Sequence, residues 1–125
     1  MSPVNGSPAG RVAIVTGGSR GVGQRTVRRL AAQGHAVVVN YLHDQRAAES
    51  TVEAILANNG DAVAVRADIA DDLDVQRLFA ETIAAFGGID VVVHAASSRI
   101  AAAPVTEVDP DEFDALVRIN TRATF

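Results

Sequence analysis

Four short segments constrain this chain more than anything else in it. Val12 to Thr16, His35 to Tyr41, Ala62 to Ala67 and Ile89 to His94 are rich in valine, and their apolar residues run nearly without a break. A strand with one wet face alternates apolar and polar residues. An unbroken apolar run of this length is the pattern of a strand covered on both faces, as in a parallel sheet. The segments between them carry helical spacing. The clearest runs from Asp71 to Phe86: Val75, Leu78, Phe79, Ile83 and Phe86 form one stripe, Asp71 or Asp72 can cap its start, and Gly87 can end it. Val22, Val27 and Leu30 mark a first helix. Val52, Ile55 and Leu56 mark a second, ending at Asn58-Asn59-Gly60. A fourth begins at Asp109-Pro110-Asp111-Glu112, with Asp109 as N-cap, Pro110 in the first turn and the acids at the positive end of the helix dipole. The order β-α-β-α-β-α-β-α predicts an α/β fold: a doubly wound parallel sheet with right-handed crossovers.

Composition narrows the chemistry. All 11 basic residues are Arg, and the chain has no Lys, no Cys, no Trp and a single Tyr, Tyr41. Without Cys there is no disulfide scaffold, thiolate zinc site or Cys nucleophile. Without Lys there is no Schiff base and no Walker-type phosphate loop. No metal site is expected. A net charge of −4 argues against a nucleic-acid partner. No apolar stretch approaches the ~20 residues of a membrane span, and the Pro-, Gly- and Ser-containing residues 1–10 read as a flexible leader without signal-peptide features. The default expectation is a cytoplasmic protein with residues 11–125 in one domain.

The first strand runs straight into Thr16-Gly17-Gly18-Ser19-Arg20-Gly21-Val22-Gly23, and a helix follows at once. Glycines here can take positive φ and let the backbone approach a ligand. A helix N-terminus offers unpaired N–H groups and about half a positive charge, which suits a pyrophosphate. A strand-loop-helix setting is what a dinucleotide-binding motif requires. The spacing is T-G-x-x-x-G-x-G. On this loop the sequence resembles the short-chain dehydrogenase/reductase family, in the branch containing 3-oxoacyl-carrier-protein reductases and glucose dehydrogenases.

The resemblance continues in register after residue 10. Asp68-Ile69 is similar to the family's adenine-contacting pair. Asp90-Val91-Val92-Val93-His94-Ala95-Ala96-Ser97 stands where the family has an acid, an apolar strand and then N-N-A-G. Asn120 matches the helix asparagine of the family's Asn-Ser-Tyr-Lys tetrad. The resemblance implies a Rossmann-type sheet, incomplete here at four strands in the order 3-2-1-4. It implies an oxidoreductase reducing a ketone or oxidising a secondary alcohol, with a small carbonyl or alcohol substrate. It implies a cofactor held by Gly17, Ser19, Arg20, Gly21, Val22, Gly23, Asn40, Tyr41, Asp68, Ile69, Ala95, Ala96 and Ser97. Asn120 would have a supporting catalytic role. The last helix, Asp109 to Phe125, serves many relatives as a subunit interface, so a homo-oligomer is expected on the same ground.

The choice of nucleotide is partly readable. NAD-specific dinucleotide folds usually place an acid at the end of the second strand, where it would repel a 2′-phosphate. This strand ends Val38-Val39-Asn40-Tyr41-Leu42, with no acid until Asp44, which reads as a helix cap. Arg20 stands where family members commonly meet the 2′-phosphate, and a guanidinium suits phosphate. NADP(H) is expected, with NAD(H) the alternative.

Two departures matter. The N-N-A-G position reads His94-Ala95-Ala96-Ser97, so side chains there do not secure cofactor binding. His94 reads as a half-buried histidine with a backbone partner, since no orienting acid is identifiable beside it. Ser97 and Ser98 read as loop residues, because no nucleophile elbow surrounds them. Further, the family's chemistry uses a Tyr-x-x-x-Lys pair, whose Lys lowers the Tyr pKa from about 10. This chain has neither that Tyr nor any Lys. The expectation is therefore the cofactor-binding half of a longer oxidoreductase, inactive alone, with the alternative a non-catalytic dinucleotide-binding module. The Val91-Val92-Val93 strand is then an apolar edge that further chain or a partner must cover.

Overall fold

The structure, a computed structural model, describes residues 10–125; the leader expected over residues 1–10 lies outside that range but for Gly10. Strands β1 (Val12–Thr16), β2 (Ala36–Tyr41), β3 (Asp61–Arg66) and β4 (Val91–His94) form one parallel sheet in the order β3-β2-β1-β4. Helices α1 (Gly21–Ala32), α2 (Gln45–Ala57) and α3 (Asp72–Phe86) alternate with them. Beyond β4 come a 3-10 turn (Val105–Glu107), α4 (Pro110–Val117) and a π turn (Arg118–Arg122). This is the expected topology.

The unbroken valine runs have the reason expected of them. Val15, Val37 and Val39 pack with Val27 of α1 and with Ala48 and Ile55 of α2. Their neighbours Ile14 and Val38 pack with Val65 and with Leu78 of α3. Alternate residues of a strand point to opposite faces, so both faces of β1 and β2 are covered. Each fully buried Val or Ile contributes roughly 1.5–3 kcal/mol.

The helix starts follow the capping residues. Asp44 accepts from Ala47 N at 3.1 Å, Asp71 from Leu73 N at 2.9 Å, and Asp109 from Asp111 N at 2.9 Å. Gly87 ends α3 in the left-handed region, φ 85°.

Several expectations need correction. β2 begins at Ala36, because the His35 N–H instead closes the end of α1 on Leu30 O at 3.1 Å. β3 is shifted one residue back, since Asp61 pairs with Ala36. β4 starts at Val91, because Asp90 docks on β1 from outside the strand: its carboxylate accepts from Val12 N at 2.8 Å and its N–H donates to Val12 O at 2.9 Å. The α3 stripe is only partly inward. Leu78 and Thr82 are buried, Thr82 donating to Leu78 O at 2.8 Å, while Ile83 is 52% exposed. Val22 is exposed at the first turn of α1. The last helix is not continuous to Phe125 but passes into the π turn after Val117, and Phe113 is 54% exposed. Val92, on the edge strand, is 50% exposed. Among the described residues no helix is long and apolar enough to cross a membrane.

Candidate functional site

All four strands deliver their C-terminal ends to one cavity of about 660 Å³. From β1 and the loop after it come Gly17, Ser19, Arg20, Gly21, Val22 and Gly23. From the end of β2 come Asn40 and Tyr41, from the segment after β3 Asp68 and Ile69, and from the exit of β4 Ala95, Ala96 and Ser97. Four stretches far apart in sequence thus converge, and the thirteen residues expected at a cofactor share one wall. Asn120 does not line the cavity; its neighbour Ile119 does.

The glycine loop is shaped by contact as much as by φ. Gly17 has φ 61°, and a Cβ there would lie 2.7 Å from Ala96 Cα. A Cβ on Gly23 would overlap the Gly17 carbonyl, so α1 can sit against the loop only without one. Arg20 is the N-cap of α1 and provides no side-chain cap, and no acid lies in the first turn. The first N–H groups of α1 therefore keep their partial positive charge without a side-chain acceptor. This cradle fits a pyrophosphate.

Asn40 holds the loop in place. It is 2% exposed, and its carboxamide donates to Ala67 O at 3.1 Å and Val65 O at 3.3 Å while accepting weakly from Gly17 N at 3.4 Å. Its own carbonyl accepts from Gly18 N at 2.8 Å. The Asn40 side chain is thus committed to backbone, so it shapes the cavity wall. Asp44 also lines the cavity, but its carboxylate caps α2, as expected.

The segment after β3 is braced from α3. Asp68 N donates to Asp74 Oδ2 at 2.8 Å, and Asp68 Oδ1 accepts from Ala70 N at 2.9 Å. The hydrogen bond from the Asp68 N–H holds the Asp74 carboxyl below the ordinary carboxylate range, against some desolvation, and Arg77 adds to the lowering.

At the exit of β4, Thr16 Oγ1 accepts from Ala95 N at 3.1 Å and Ala96 N at 3.2 Å. The same hydroxyl lies 2.8 Å from His94 Nδ1, and His94 Nε2 lies 3.0 Å from Ile119 O. His94 is half-buried with a backbone partner, as read from the sequence. Asn120 clasps the backbone of Ser98 at both ends of its carboxamide: Oδ1 accepts from Ser98 N and Nδ2 donates to Ser98 O, each at 2.8 Å.

The match to known proteins covers the whole described fold. The family model for short chain dehydrogenases matches residues 11–125. The chain belongs to the short-chain dehydrogenase family. It is 43% identical over 116 residues to versicolorin reductase 1 of Aspergillus parasiticus, covering 93% of this chain and 44% of that protein. It is 38% identical over 125 residues to tetrahydroxynaphthalene reductase of Pyricularia oryzae, covering 100% of this chain and 44% of that protein. Among solved structures it superposes on a blue fluorescent protein from a metagenomic library, in complex with NADPH, with a TM-score of 0.86 and 38% identity, over 91% of this chain and 47% of that one. The chain thus spans under half the length of these relatives.

Thr16 is the residue that reading the sequence missed. A strand-terminal Thr before a glycine loop reads as a strand end, and only the β1–β4 pairing of Thr16 with His94 reveals it as a hub. Arg99 was also missed; it lines the cavity one residue beyond the Ser98 that Asn120 clasps.

Proposed function

We propose that the protein is an NADP(H)-dependent oxidoreductase, reducing a ketone or oxidising a secondary alcohol of a small-molecule substrate, and that these residues form its cofactor-binding part. The observation that carries this reading is the convergence of the thirteen residues on one cavity beside an uncapped helix N-terminus. The first turn of α1 offers N–H donors to the pyrophosphate. Arg20, at the same mouth and with no cap hydrogen bond from its side chain, offers its guanidinium to a 2′-phosphate, and no acid opposes it at the end of β2. Asp68 and Ile69 would flank the adenine, and the Ala95–Ser97 backbone the nicotinamide. NADP(H) bound there supplies or receives the hydride. The NADPH complex of the similar blue fluorescent protein supports the choice of nucleotide.

Proton transfer needs a group that this chain does not carry. Tyr41 is buried at the end of β2, and the sequence has no Lys to lower a Tyr pKa. In this reading a Ser and a Tyr-x-x-x-Lys motif follow Phe125, Asn120 supports them by fixing the Ser98 loop, and residues 1–125 alone bind cofactor without turnover. The exposed Phe113 of α4 supports assembly of copies through that helix. The setting is cytoplasmic, without nucleic-acid or membrane partners.

The alternative reading is a dinucleotide-binding module with no catalysis of its own. Sequence past Phe125 separates the two. A Ser followed by Tyr-x-x-x-Lys within a few dozen residues supports the enzyme; a stop codon there supports the module. Cofactor binding itself is tested by the quench or enhancement of NADPH fluorescence on titration, and no saturable change would refute both.

A further inference from the structure

We propose that His94 is a positioning residue of this site and its proton-sensitive latch: neutral, it holds the Ala95–Ala96 backbone and the Ile119 carbonyl together, and protonated it must release part of that network. The inference rests on reading the cavity as a dinucleotide site.

Counting donors and acceptors leads there. A carbonyl oxygen only accepts, so the 3.0 Å contact to Ile119 O requires the proton on Nε2. Nδ1 is then bare in the neutral ring and accepts the Thr16 hydroxyl proton across 2.8 Å. That hydroxyl has two lone pairs, and Ala95 N and Ala96 N use both. Every position in the network is filled, and only one tautomer fills it. An imidazolium carries a second N–H, on Nδ1, aimed at an oxygen with no free lone pair. Either Ala95 or Ala96 must give up its bond to Thr16, or the ring must leave Thr16. Ala96 is the residue packed on Gly17, so the loss is felt at the glycine loop.

Among the described residues no carboxylate contacts the ring, whose partners are Thr16 Oγ1 and Ile119 O. The second cavity beside His94, about 270 Å³, is lined from β1, α3 and β4 by Ile14, Val75, Leu78, Phe79 and Val92, none ionisable. Charged groups on the surrounding elements are engaged or directed elsewhere. Asp90 binds Val12 N, Asp74 binds Asp68 N, Asp68 binds Ala70 N, and Arg122 pairs with Asp72 at 3.1 Å. Arg118 is exposed, and Arg20 and Arg99 line the site cavity as further cations. Histidine is the side chain whose ordinary charge change falls between about pH 5 and 8.

The test uses the full-length protein. Nitrogen-15 NMR at pH 8 should show His94 as the Nε2–H tautomer; the Nδ1–H tautomer would overturn the proposal. On acidification an Ala95 or Ala96 amide resonance should move with the midpoint of the ring; amides that ignore the ring would overturn it too. Calorimetric titration with NADP+ at pH 8 and pH 5.5 is then compared for the parent and His94→Asn, which keeps an acceptor near the Nδ1 position and does not titrate. The 2′-phosphate titrates equally in both. The parent should lose about five- to tenfold more affinity than the variant, the effect of one hydrogen bond. Equal losses would overturn the latch. Should His94→Asn not fold, the two NMR measurements decide alone. Absence of NADP+ binding at either pH refutes the cofactor reading and leaves the tautomer and amide tests standing.

Discussion

At Thr16 one hydroxyl joins the end of β1 to the exit of β4, and at Asn40 one carboxamide joins β3 to the glycine loop. Both residues are small, polar and buried, and such groups are costly unless satisfied. Asn40→Ala leaves the Val65 and Ala67 carbonyls short of a donor at a buried position. The expected loss is about 1–3 kcal/mol, read as a lower urea midpoint with an unchanged slope. Gly17→Ala meets two obstacles, a positive φ costing ~1–2 kcal/mol and the Ala96 backbone in van der Waals overlap. It should abolish NADP+ binding in calorimetry while the circular dichroism stays α/β; binding at parental affinity would refute the close approach. At this scale the sequence was readable where residue type alone decides, as with Gly17 or the cap Asp44. It was not readable at Thr16, nor in which groups His94 and Asn40 bind, because those partners lie 23 to 80 residues away and depend on strand register.

The elements were the most readable level, because each is specified locally. Valine runs predicted the strands, and Asp44, Asp71 and Asp109 predicted the helix starts. Boundaries slipped by a residue or two where long-range bonds intervene, as at Asp90. The π turn after α4 was not foreseen: Ile119 and Asn120 are drawn to His94 and Ser98 there, and helical periodicity carries no trace of it. Asp71→Ala removes the cap of α3 and should cost about 0.5–2 kcal/mol in thermal or urea unfolding. Asp74 gives this helix a pH signature. Its folded carboxyl is held below the ordinary range by the Asp68 N–H and then Arg77. A depressed pKa stabilises the fold above the unfolded value, and that contribution is lost as pH falls through the lowered folded one. Urea midpoints followed from pH 6 down to pH 2.5 should therefore fall less steeply for Asp74→Asn than for the parent. Parallel curves would show that Asp74 does not brace the Asp68–Ile69 segment.

For the whole molecule, alternation predicted a parallel sheet, and the resemblance implied the order β3-β2-β1-β4 that the sheet has. The resemblance added the nucleotide and the chemistry, which residue physics alone does not reach. The edge strand β4 is incompletely covered, as the exposure of Val92 shows. The central claim, that this cavity takes NADP(H) with the 2′-phosphate on Arg20, is tested most directly by calorimetric titration of NADPH and NADH against the parent and Arg20→Ala. A lone charged contact to phosphate is worth about 1.5–3 kcal/mol. NADPH should bind the parent at least about tenfold more tightly than NADH, and Arg20→Ala should erase that preference while leaving NADH affinity within about twofold. Equal affinities in the parent, or NADPH binding unchanged in Arg20→Ala, would contradict it.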